Sequence, residues 1–279
     1  SDEEIGLIGA NNLSLPLNAS YMLNLDSEEE GEICIGCAGG VDIFGTNTNK
    51  KIVPNTDNLD LYEISIGKLQ GGHSGVDIDK NIPNGIKLIV KTIKECKGKL
   101  LDINGGERIN SIPVNVKAII ATNKTPQASH ENMIINKIDT KSEHLNIYDD
   151  KIIDFIYNFQ NGVRTKNQEL SVVQTSINLA IIKTGIDEIK IELSGRSMDN
   201  EDLKNLKDET IEMLKNYNFE VTTNGKYPAW KPDINEFTSK VLKIYKEFNP
   251  KASLEAIHAG LECAIFKDKY QHIKVASIG

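Results

Sequence analysis

Two adjacent carboxylates, Glu3 and Glu4, an aspartate at 26, and a histidine at 73 set among glycines are the side chains whose types and spacing suit metal-assisted chemistry. A strand or turn sends neighbouring side chains opposite ways, so one of an adjacent pair can hold a metal while the other faces water. Hard carboxylate oxygens with a histidine nitrogen suit Zn2+, Mn2+ or Co2+. Asp26 ends the apolar strand pattern "SYMLNLD", a position where α/β sheets place functional groups. The competing reading of "SDEE" and "DSEEEGE" is a solvated charge run. His73 lies in "LQGGHSGVDIDK", beside Gly71, Gly72 and Gly75. A packing histidine normally sits inside an element, so this one reads as presented to another surface. His258 closes the strand pattern "SLEAIH" just before Gly-Leu-Glu, which suits a pocket role. Cys34 and Cys37 form a CxxC without a second pair at similar spacing, and they read as two small packing residues.

These groups need elements to hold them. Short strands are expected at 20–26 and 32–37, with "CAGG" reading as a glycine turn, and an alternating strand at 58–69. Apolar residues at helical spacing predict a helix over 81–99, and "LLDIN" and "PVNVKAIIAT" follow as strands. A helix is expected over 149–162, a long hairpin turning at Gly185, a helix over 199–217 with an acidic first turn, and a strand at "FEVTT". The rest reads helix, strand, helix, strand. Residues 122–148 are polar and without period, an irregular excursion or a break in the sequence. The fold class is therefore an α/β domain, incomplete, interrupted by an inserted α+β domain of βαβ-type units. The divisions fall at 1–57, 58–224 and 225–279, with a hinge near "GKYPAWKPD".

The composition narrows the function. The chain has 279 residues, 39% hydrophobic and 26% charged, and a formal net charge of −8 with scattered lysines. That balance argues against a nucleic-acid partner, which wants a basic face. The apolar runs fall far short of the roughly 20 residues of a membrane span. No leader with a basic start and an apolar centre is read. Four cysteines are too few for a disulfide framework, and a reducing, cytoplasmic setting is expected.

Several stretches, in order, resemble the aminoacyl-histidine dipeptidases, a di-zinc metallopeptidase family related to the carnosinases. They are "DEE", "NLDSEEEGEICIGCAGGVD", "LQGGHSGVDI", "INGGERINSIP", "YPAWKPD" and "IHAGLECAIFK", then "VASIG". The resemblance implies a catalytic α/β domain with two bridged zinc ions and an inserted lid, often used for homodimerisation. It implies Glu3 as general base and Glu4 and Asp26 as metal ligands. It implies His73 as the lid histidine that steadies the oxyanion, and Asn110 and Arg196 as substrate-binding, the arginine suiting a terminal carboxylate. Gly260 and Glu262, with His258 beside them, fall where the family builds its pocket wall. The implied substrate is a short peptide, Xaa-His-like.

The departures are equally specific. The family's upstream His-x-Asp, a second upstream aspartate and a further histidine downstream are not in the sequence. The chain is therefore expected to be an internal fragment, inactive as it stands. Two other functions fit the same stretches: a non-catalytic lid and dimerisation module, or a di-metal amidohydrolase of N-acyl amino acids.

Overall fold

Polar caps and apolar spacing set the helices. Asn84 accepts hydrogen bonds from the backbone N–H groups of Ile86 and Lys87, and Ile86, Ile89, Val90 and Ile93 form the buried stripe behind it. Asp199 does the same for Glu201 and Asp202, and Asn235 closes a capping box with Thr238. The computed structural model describes residues 7–27, 29–48, 50–54, 58–139, 144–168 and 170–279. In chain order the elements are α1 (Ile8–Asn12), β1 (Tyr21–Asn24), β2 (Glu32–Cys37), β3 (Gly39–Asn47), β4 (Lys50–Pro54), β5 (Asp60–Ile66), α2 (Gly85–Glu95) and β6 (Lys99–Gly105). Then come β7 (Val116–Thr122), β8 (Met133–Ile138), β9 (His144–Tyr148), α3 (Asp150–Asn158), β10 (Gly162–Asn167), β11 (Val172–Thr184) and β12 (Ile189–Ser197). The last are α4 (Asn200–Asn216), β13 (Glu220–Tyr227), α5 (Glu236–Phe248), β14 (Ser253–Ile257), α6 (Glu262–Lys269) and β15 (Lys274–Ser277).

Among the described residues a nine-stranded antiparallel sheet runs β13-β3-β12-β11-β6-β7-β5-β8, with β10 added on β11. β5 and β6 both run antiparallel to the β7 between them, so β5-α2-β6 is a split βαβ unit. β12-α4-β13 is another, with β3 between its strands. The mixed α and β character expected from sequence is present, as are its βαβ-type units. A smaller mixed sheet, β1-β15-β2-β14, carries the chain's two ends.

Three sequence expectations change. The glycines of "CAGG" open β3 instead of making a turn, because a Cβ on Gly39 would lie 2.5 Å from the Ala229 nitrogen. The polar stretch 122–148 contains β8 and β9. β8 is an edge strand held only by β5, so its alternation is loose and Ile134 is 60% exposed. The helix over 81–99 is shorter than expected, since Pro83 and Asn84 precede its first turn and Lys97 is left-handed at φ 55°.

The two sheets meet where the chain crosses between them. β2 passes through Ala38 into β3, which therefore belongs by pairing to the large sheet although it precedes residue 58. The return runs from β13 through Trp230, whose backbone exchanges hydrogen bonds of 3.0 and 2.8 Å with Cys37. Trp230 is buried there. Cys34, Cys37 and Cys263 are buried and free, and burial pushes the Cys34 thiol up to about 11 and that of Cys263 to about 12. They are packing residues, not thiolates.

Candidate substrate site

Strand alternation gives β11, β12 and β3 two faces. Ile177, Leu179, Leu193 and Ile43 join the core with Leu206 and Leu214 of α4. Their neighbours Ser176, Asn178, Ser194, Arg196 and Asp42 occupy the other face, in register across the strands. That face is turned towards His258, just after β14.

Arg196 is its centre. It is 6% exposed. Its Nη1 donates to the Tyr227 hydroxyl at 2.9 Å, and its Nε is buried without a partner. No ion pair of Arg196 occurs among the described residues. Asp42 feels its charge from a distance, but bonds Ser194 and is itself pushed up chiefly by burial.

His258 is 5% exposed, with Nε2 2.8 Å from the Ser176 hydroxyl and Nδ1 unpartnered. Burial, with the Arg196 charge behind it, lowers its pKa to about 3, so the imidazole is neutral. Ser74 Oγ and Asn178 Oδ1 are also buried without partners. All four such atoms among the described residues lie on elements that meet around His258. Buried polar atoms are nearly always satisfied, so this cluster of exceptions makes the face a candidate site for a polar ligand.

The His73 loop closes one side, and it is pinned instead of pliable. Ser74 N–H donates to the Asn110 carbonyl at 2.8 Å, Ile112 N–H to Gly72 at 2.9 Å, and His73 N–H to Asp77 Oδ2 at 2.8 Å. Its glycines serve close approach: a Cβ on Gly75 would lie 2.6 Å from the His258 carbonyl oxygen. His73 Nδ1 accepts from the backbone N–H groups of Gly75 (3.2 Å) and Val76 (3.3 Å). The ring proton therefore sits on Nε2, which makes that nitrogen a donor.

The structure thus brings together His73, Arg196, His258 and Gly260, with the Asn110 backbone as a strut. Asn110 itself is exposed at a turn. Glu262 is half-buried in the first turn of α6. Glu3 and Glu4 lie outside the described residues. Asp26 is exposed beyond β1, at the end of the small sheet opposite His258, because β1 and β14 run in opposite directions. Sequence reasoning missed Ser176, Asn178 and Tyr227. The first two look like ordinary alternation in "QTSINL", and only the register opposite Arg196 gives them a role. His272 is exposed just before β15, with Nε2 3.2 Å from the Leu17 carbonyl. A separate groove of about 730 Å³ between the β10–β11 hairpin, the start of α4 and Lys231 contains none of the residues named from sequence.

No family model matches the chain. Over 99% of its length it is 30% identical to the cytosol non-specific dipeptidase of Escherichia coli strain K12, of which it covers 63%. It superposes on the crystal structure of the aminoacylhistidine dipeptidase from Vibrio alginolyticus with a TM-score of 0.86 and 26% identity, over 100% of this chain and 63% of that one. The chain thus spans less than two thirds of the length of the relatives it matches.

Proposed function

We infer that this chain belongs with the cytosol non-specific and aminoacyl-histidine dipeptidases it resembles, and that it supplies the carboxylate- and carbonyl-binding part of a metal-dependent dipeptidase. The observation that carries the reading is a buried guanidinium with no paired carboxylate among the described residues and an unsatisfied Nε. Burying such a charge costs several kcal/mol unless a partner answers it. A peptide's terminal carboxylate is a suitable partner, because it can take two parallel hydrogen bonds from the guanidinium fork.

The rest of the site follows the same reading. His73, with its proton on Nε2, donates to the oxygen that gains charge as water attacks the peptide carbonyl. His258, neutral and anchored by Ser176, offers Nδ1 to the polar backbone of the substrate. Glu3 takes the proton of the attacking water and delivers it to the leaving amine. Glu4 and Asp26 are assigned to zinc. The family implies a divalent metal, yet among the described residues no three His, Cys, Asp or Glu side chains form a group able to hold one. Asp26 alone does not make a metal site. The reading also includes an Xaa-His-like substrate, a homodimer formed through the inserted region and a cytoplasmic location, in keeping with the name of the Escherichia coli relative.

Arg196→Lys in the full-length protein tests it. KM for a dipeptide with a free carboxylate is expected to rise by on the order of tenfold or more, while its C-terminal amide stays within about twofold. Equal losses for acid and amide overturn the assignment.

A further inference from the structure

We propose that Tyr227 is the positioning residue that holds Arg196 ready for a terminal carboxylate, and that Gly40 and Gly260 serve to seat its ring. The proposal rests on the assignment of Arg196 to the substrate carboxylate.

An arginine side chain has enough rotatable bonds to present its fork in many directions. Carboxylate recognition needs one. Arg196, Gly40 and Tyr227 stand side by side across β12, β3 and β13 in register. Tyr227 reaches past Gly40 to accept the Nη1 hydrogen bond at 2.9 Å. A tyrosine hydroxyl sits at the end of a rigid ring with only two torsions, so fixing the ring fixes the acceptor.

The ring is fixed from both sides. A Cβ on Gly40 would lie 2.5 Å from its Cζ and hydroxyl oxygen, and one on Gly260 would lie 2.6 Å from its Cε2. Neither glycine has a left-handed backbone. They are glycines for space. Gly40 comes from the large sheet and Gly260 from the loop after β14, so the clamp forms only where the two sheets meet.

The chemistry of the acceptor matters as much as its place. An Asp or Glu there would orient Arg196 but also neutralise the charge that the substrate must meet. A phenol orients it and leaves the charge available. Burial pushes the Tyr227 hydroxyl up, which keeps it in its neutral form.

The test compares a reduced-bond dipeptide analogue with its C-terminal amide by calorimetry, and KM with kcat for the cleavable pair, in the full-length protein. Tyr227→Phe keeps the ring and removes the acceptor. It is expected to weaken the acid by about tenfold, mainly through KM, and the amide by less than about twofold. Gly40→Ala keeps the hydroxyl but displaces it, and the same selective loss is expected, which covers the case that Tyr227→Phe fails to fold. In an Arg196→Lys background, Tyr227→Phe adds little, because the two residues act as a unit. Equal weakening of acid and amide, or no change in either variant while Arg196→Lys still destroys discrimination, overturns the role of Tyr227 and leaves Arg196 assigned. If Arg196→Lys itself does not discriminate, the carboxylate assignment falls and the proposal with it.

Discussion

The two faces of β11, β12 and β3 are built from alternate residues of the same strands, and both are buried. On the helix side Ile177, Leu179, Leu193 and Ile43 are fully covered and leave no polar atom to satisfy. On the other side Asn178 and Arg196, with Ser74 and His258 packed against them, each keep a buried polar atom without a partner. One face is complete in itself. The other keeps open polar atoms that the proposed substrate would answer. The difference separates what stabilises this molecule from what the proposed function assigns to recognition, although the two sets of side chains are one residue apart.

Substitutions on opposite faces should therefore have opposite effects. Leu193→Ala opens a cavity among helix-packed side chains and is expected to cost about 2–5 kcal/mol, read as a lower melting temperature. The acid-over-amide preference of the molecules that remain folded should stay unchanged. Loss of that preference would show that the faces are not independent.

Arg196→Met replaces a buried cation, without an ion pair among the described residues, with an apolar chain of similar length. Stability is expected to hold or to rise by about 1–4 kcal/mol in chemical denaturation, while affinity for the free acid collapses. A clear loss of stability would mean that Arg196 belongs to the structural face after all.

A further effect is expected from acid. The His258 pKa falls from 6.5 to about 3 on folding, because burial disfavours the charged ring. Between those values the unfolded chain binds a proton that the folded chain does not, so this group lowers stability as pH falls below about 6.5 and has no effect above it. His258→Gln should flatten the decline in melting temperature between pH 6.5 and 4, with one proton fewer taken up on unfolding. An unchanged slope would place the acid sensitivity elsewhere.

Much of this arrangement was legible in advance. Helix α2 was readable because Ile86, Ile89, Val90 and Ile93 share a face, and α4 because Asp199, Glu201 and Asp202 mark its start. His73 and Arg196 stood out by residue type and motif. β8 did not, since an edge strand has too little covered surface to impose a pattern, and β9 did not, since its buried Leu145 and Ile147 are too few residues to show a period. The glycines of β3 looked like a turn because the Tyr227 ring and the Ala229 backbone that fill their Cβ space are nearly 190 residues away.

Local order, the caps and the alternation that makes two faces came from the sequence by itself, because a helix turn or a strand pair of neighbours is decided within a few residues. Tertiary structure alone decided that Ser176 meets His258 and that the Tyr227 ring lies between Gly40 and Gly260 with its hydroxyl on Arg196. Each of these depends on distance in space between groups far apart in the chain. No periodicity encodes that distance; only the register of the strands and the meeting of the two sheets sets it.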